Sequence, residues 1–187
     1  MTDKLPMSDS HFKVMAFIHG NPLRRIFDNP IKTLKAAGIQ PGQQVLEVGC
    51  GPGFFTIPVV KLVGDNGCIH AIDLHPLAIK MVEKKLQKNS LTNAKVTIAN
   101  AAKTGLPSNS IDLVLLFGII HTLPLDHVLP ELYRVLRVSG ALAVQTFPGW
   151  LPGDVTKSGL FTFVGKEDRL FKFSKEKSDV SGHSWRC

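Results

Sequence analysis

Short apolar runs punctuated by glycine and proline set the rhythm of this chain, and between them lie segments whose apolar residues recur every three or four positions. Five runs read as strands: Gln44 to Val48, Cys68 to Asp73, Lys95 to Ala99, Ile111 to Phe117 and Ala141 to Thr146. Helical spacing separates most of them. One helix runs from about Phe54 to Val63, with Pro58 near its first turns, and a second from about Leu77 to Lys88, with Ile79, Val82 and Leu86 on one face. The clearest helix carries Leu129, Leu132, Tyr133 and Leu136, with Asp126 as its expected cap and Gly140 as its expected stop. A loop through Gly105-Leu106-Pro107 joins the third and fourth strands. Strands alternating with helices predict a parallel sheet covered on both faces.

The flanks differ. Residues 1–28 form an expected leader, with a short amphipathic helix marked by Phe12, Val14, Met15, Phe17 and Ile18 and broken at Gly20-Asn21-Pro22. Asn29-Pro30 is the signature of an N-cap followed by proline at the first helical position, with Gly38 ending that helix. After residue 149 the segment to Gly159 leaves room for two helical turns at most. Phe161 to Val164 and Leu170 to Phe173 then predict an antiparallel hairpin, and from Lys175 onward the sequence is polar. The expected organisation is the leader, one domain over 29–175, and a tail over 176–187.

Composition narrows the class. A length of 187 residues suits one domain, and 44% apolar with 20% charged residues suits a globular core. The net charge of +7 leaves nucleic acid open as a partner, although the lysines are scattered rather than blocked. Cys50, Cys68 and Cys187 have no metal-binding spacing, so no metal is expected, and an odd number of thiols reads as reduced and cytoplasmic. The longest apolar run, Leu113 to Ile120, is too short to cross a bilayer, and no membrane role is expected.

The chemistry concentrates at the end of the first strand. Val45-Leu46-Glu47-Val48-Gly49-Cys50-Gly51-Pro52-Gly53 lets the backbone turn sharply and approach a ligand without a Cβ in the way. Asp73 closes the second strand, where a carboxylate can accept both hydroxyls of a ribose. A dinucleotide loop wants a third glycine where Phe54 stands, and Glu47 would lie close to a pyrophosphate. Glu47 suits a cofactor with a cationic end instead, and a nicotinamide-dependent oxidoreductase is the disfavoured alternative.

These residues resemble the glycine motif of the class I S-adenosylmethionine-dependent methyltransferases, of the type-11 kind, and the resemblance continues in order over about residues 40 to 147. Ala71-Ile72-Asp73-Leu74 resembles the family's second motif, which implies Asp73 on the ribose and Leu74 against the adenine. Asn100-Ala101-Ala102 resembles the third, with Asn100 where an aspartate is usual. Ile111-Asp112-Leu113-Val114 through Phe117 to His121-Thr122-Leu123 resembles the strand-four segment. Leu132-Tyr133-Arg134-Val135-Leu136-Arg137 to Gly140 resembles the stretch before strand five, with Val138 and Ala141 as departures.

The resemblance implies a Rossmann-like, doubly wound α/β fold with a mostly parallel seven-stranded sheet and a C-terminal antiparallel hairpin. It implies S-adenosylmethionine as cofactor, held by Glu47, Gly49, Cys50, Gly51, Gly53, Asp73, Leu74, Asn100, Ala101 and Phe117. The acceptor, small molecule or macromolecule, is not readable. His121 is the best candidate for a base, with helix capping or packing as its other reading. His75 reads as a turn residue. Phe147 and Trp150 suit either a substrate pocket or packing, and Phe12, Phe17 and Arg25 suit a lid folded over the cofactor. A cofactor-binding relative without an acceptor site is the rival outside enzymes.

Overall fold

The structure is a computed structural model that describes residues 8–20, 29–146, 149 and 152–175. Seven strands form one sheet: β1 Gln44–Val48, β2 Cys68–Asp73, β3 Ala94–Ile98, β4 Ile111–Phe117, β5 Leu136–Gln145, β6 Thr162–Glu167 and β7 Leu170–Ser174. Their spatial order is β3-β2-β1-β4-β5-β7-β6, parallel from β3 through β5, with β7 antiparallel to both its neighbours. The expected fold class is the one observed. β1 lies at the centre, and the chain leaves it first toward β2 and later, on its other side, toward β4. Such a reversal opens a crevice at the strands' C-terminal ends.

Burial on both faces follows from the continuous apolar runs of the central strands. Val45, Ile69, Ala71, Leu113, Leu115 and Ala143 face one cluster, shared with helices α1 (Asp9–Gly20), α2 (Pro30–Ala37), α3 (Thr56–Val63) and α4 (Pro76–Lys88). Leu46, Val48, Ile72, Val114, Leu116, Leu142 and Val144 face the other, which α5 (Leu125–Val135) covers. The sole further α-helix among the described residues is the single turn α6 (Gly153–Thr156), within the two turns allowed for that segment.

Local signals explain most boundaries. The Asn29 side chain accepts from the backbone N–H groups of Ile31 and Lys32, Pro30 opens α2, and Gly38 closes it in the left-handed conformation. In α1, Phe12 and Ala16 turn into the core, whereas Val14, expected on the apolar face, is 60% exposed. The first helix after the glycine loop starts at Thr56 rather than Phe54, because residues 51–55 are spent on turns. β3 lies one residue earlier than expected.

The largest correction concerns the junction of α5 and β5. Asp126 lies in the first helical turn, and its side chain does not cap; Pro124 is the N-cap residue. The helix gives way to strand at Leu136, not at Gly140. Leu136 pairs with Ile111 and Ala141 with Leu113, so residues 137–140 loop out as a wide bulge. Gly140 therefore belongs to the bulge. A Cβ there would lie 2.8 Å from Leu136 Cδ2 and 2.9 Å from the Arg137 carbonyl oxygen, which the close turn cannot admit.

Candidate functional site

The crevice is built from the loop after β1. Gly49, Gly51 and Gly53 all adopt positive φ, at 70°, 51° and 78°, which accounts for their spacing. Added Cβ atoms at Gly49 and Gly53 would also come within 2.9 Å of the Ile119 side chain and 3.0 Å of Val82 Cγ2, so those side chains would have to give way. Gly51 differs, because a Cβ there would meet nothing within 4 Å. There the positive φ alone asks for glycine. The amides of Gly49 and Cys50 are held by the Ile72 carbonyl, 2.8 and 3.1 Å away, so the loop is tied to the end of β2.

Asp73 stands beside this loop. One carboxylate oxygen accepts from the Gly51 N–H and the other from the His75 N–H, both at 2.9 Å. Leu74, next along, presents an apolar side chain that is 48% exposed. His75 is more than a turn residue. Its Nδ1 accepts from the Leu77 N–H and so caps α4, while its buried ring stacks on Phe12 of α1.

Glu47 lies in β1, two residues before Gly49. It is 3% exposed, and its Oε2 accepts from the Thr56 hydroxyl at 2.6 Å. Burial raises its carboxyl pKa to about 8; the Thr56 hydrogen bond opposes that shift and the negative charge of Asp73 adds to it. No described cationic side chain pairs with Glu47. A buried carboxyl with one hydroxyl partner pays a desolvation cost whenever it ionises without a cation beside it.

The remaining expected residues divide. Phe117 is half-buried at the end of β4 and meets Phe55 edge to face at 4.8 Å, with Phe54 against Phe55 at 4.9 Å. Asn100 is exposed, and its side-chain oxygen accepts from the Ala102 N–H at 2.9 Å, leaving one lone pair for a ligand. Ala101 is buried in the second core cluster. The Cys50 thiol is buried and pushed well above its ordinary range, by burial first and then by the nearby Glu47 and Asp73 carboxyls. It is a packing group that stays protonated.

On the other side of the crevice, His121 lies in a single 3-10 turn, Ile120–Thr122, after β4. Its ring is exposed, with Nε2 2.8 Å from the hydroxyl of Thr146, which is buried just past the end of β5. The turn and the strand end are thereby joined. Phe147, Trp150 and Arg25, and the side chain of Phe17, lie outside the described residues.

Three contributors escaped the sequence reading: Thr56, Thr146 and the pair Glu131–Arg134. That pair fixes the crossover between β3 and β4. Glu131 Oε1 accepts from the Thr104 N–H and hydroxyl, at 2.9 and 2.7 Å, and Arg134 donates to Glu131, Ser108 Oγ and the Leu106 carbonyl. Hydrogen bonding to Arg134 lowers the Glu131 pKa to about 2. A signal for it existed in the spacing of Glu131 and Arg134, i and i+3 on a predicted helix. Thr56 and Thr146 had none, since one bonds from the start of α3 back to β1 and the other from the end of β5 to the turn after β4, and those partners meet only in the fold.

The family described as "Methyltransferase domain" matches residues 39–178, which spans the sheet and every residue of the crevice. The chain belongs to that family. The match supports the methyltransferase resemblance over the nicotinamide-dependent alternative. Among its relatives, a demethylmenaquinone methyltransferase of Listeria welshimeri is 31% identical over 125 residues, covering 64% of this chain and 53% of the relative. Aklanonic acid methyltransferase DauC of a Streptomyces species is 36% identical over 127 residues, covering 67% and 54%. The chain thus spans about half the length of these relatives. A crystal structure of a SAM-dependent methyltransferase from Aquifex aeolicus superposes with a TM-score of 0.76 at 24% identity, over 90% of this chain and 97% of that one, and shares the fold.

Proposed function

We propose that this protein transfers a methyl group from S-adenosylmethionine to an organic acceptor. The observation that carries the reading is the buried, cation-free Glu47 beneath the bare turn at Gly51, with Asp73 alongside. When bound, the cofactor supplies a methyl group on a positively charged sulfur, open to nucleophilic displacement. Glu47 would receive the cofactor's ammonium end, Asp73 its ribose hydroxyls, and Leu74 and Ala101 the faces of its adenine. Asn100 would meet the adenine amino group through its remaining lone pair, and Gly49, Cys50, Gly51, Gly53 and Phe117 would shape the cavity. The protein's part in the rate is chiefly to hold the two reactants at near-attack distance.

Acceptor chemistry is supported from two directions. Two relatives act, by their names, on demethylmenaquinone and on aklanonic acid, both small organic molecules rather than macromolecules. His121, fixed by Thr146 at the rim, is a base for an acceptor that arrives protonated. We place the protein in the cytoplasm on the protonated, free Cys50 and Cys68; no described helix is long and apolar enough to cross a membrane.

Calorimetric titration of the wild type and Asp73→Ala with S-adenosylmethionine, S-adenosylhomocysteine and NADH tests the cofactor. Micromolar binding of the two sulfur compounds, lost in the variant and absent for NADH, is the expected result. Binding of NADH in place of the sulfur compounds would sink the reading.

A further inference from the structure

Helix α1 meets the domain at His75, next to the crevice. The Phe12 ring lies 4.2 Å from the His75 ring, with 17° between their planes, and the two side chains are 3% and 5% exposed. Asp9 Oδ1 approaches His75 Nε2 at 3.6 Å, but Asp9 is 71% exposed and adds little. The stack joins α1 to His75, and Ala16 of the same helix is buried in the core cluster beside it. On its other side His75 is bound into the site: its N–H donates to Asp73 Oδ1, its Nδ1 caps α4, and Asp73 Oδ2 in turn accepts from Gly51. One unbroken set of contacts runs from α1 through His75 and Asp73 to the glycine turn.

We infer that His75 is a positioning residue that makes α1 part of the cofactor site, so that docked α1 and bound cofactor stabilise each other. The inference rests on the reading of Asp73 and the glycine turn as an S-adenosylmethionine site. Phe12 pins the His75 ring, and the ring holds the backbone N–H that orients the Asp73 carboxylate. A ligand on that carboxylate favours the orientation α1 supports. By linkage, the factor by which ligand strengthens α1 docking equals the factor by which undocking weakens the ligand.

Two variants separate this from simple packing. Phe12→Ala removes the stack without touching β2 or α4, and His75→Asn removes the ring while keeping a side chain able to cap α4. S-adenosylhomocysteine dissociation is measured by stopped flow, and amide exchange of residues 9–20 by mass spectrometry with and without that ligand. In the wild type the ligand slows exchange in α1. Both variants release it about 3- to 10-fold faster, the range an aromatic pair of this kind supports, with association unchanged and ligand-induced protection of α1 lost. A purely structural contact lowers the melting temperature and leaves dissociation alone. The inference is overturned if either variant releases ligand at the wild-type rate, or if α1 exchange in the wild type ignores the ligand. Failure of the wild type to bind S-adenosylhomocysteine at all would instead remove the cofactor assignment beneath it.

Discussion

At the scale of single residues, Glu47 and Gly51 make opposite demands on the chain. The raised pKa of Glu47 means that the folded protein holds a proton which the unfolded chain releases near 4.5. Stability from this group is therefore full below pH 4.5 and is lost as pH rises through about 8. Urea unfolding of the ligand-free protein from pH 5 to 9 should show a decline that Glu47→Gln largely abolishes. The decline should amount to a few kcal/mol, at roughly 1.4 kcal/mol for each tenfold difference in proton affinity between the folded and unfolded chain. Cofactor affinity runs the other way. It should rise across the same interval in the wild type and stay flat in the variant, read by calorimetry. Gly51→Ala places a methyl group in open space at positive φ, so it should cost the fold only about 1–2 kcal/mol while weakening S-adenosylmethionine more than tenfold. Equal affinities in the wild type and the variant would show that Gly51 serves the turn alone.

Elements were legible wherever one local pattern decided them. The runs at Val45, Ile69 and Leu113 are apolar on both faces, as buried parallel strands must be, and their bounds agree with the sequence to within a residue. The early start of β5 was hidden because residues 132–136 continue a helical apolar pattern, and only pairing of Leu136 with Ile111 turns the last of them into strand. Glycine at 140 looks like punctuation and is a packing requirement. The candidate site was half-legible for the same reason. Glycines and acids near one turn announce themselves, whereas Thr56 and Thr146 act through partners on other elements. The β3–β4 crossover has no helix among the described residues and is held by Glu131 and Arg134 instead. Arg134→Ala should thus lower the melting temperature by several degrees, consistent with about 1–3 kcal/mol for charged hydrogen bonds discounted for exposure. It should leave S-adenosylhomocysteine affinity unchanged, because no crevice residue touches the pair.

Over the whole molecule, charge is unevenly spread. Helices α2, α3 and α4, all on one face of the sheet, carry seven lysines against one glutamate, and Lys32, Lys35, Lys61, Lys80, Lys84 and Lys88 are outside the ion pairs found among the described residues. That basic face is where a nucleic-acid acceptor would have to lean, and it gives a direct check. With a small organic acceptor, Lys80→Glu, Lys84→Glu and Lys88→Glu together should leave kcat/KM unaltered and salt-insensitive; a tenfold fall, with wild-type activity that weakens as salt rises, would point to a polyanion. The path of the chain through the sheet has a further consequence. β7, the last strand among the described residues, inserts between β5 and β6, and its partner β5 ends 25 residues before β7 begins. On the ribosome, the strands that form the crevice can all be paired while the open flank of β5 still waits for β7. A nascent molecule therefore passes through a stage at which its ligand site is built and its sheet is sticky. A ligand present during synthesis would steady the finished half before β7 covers that flank.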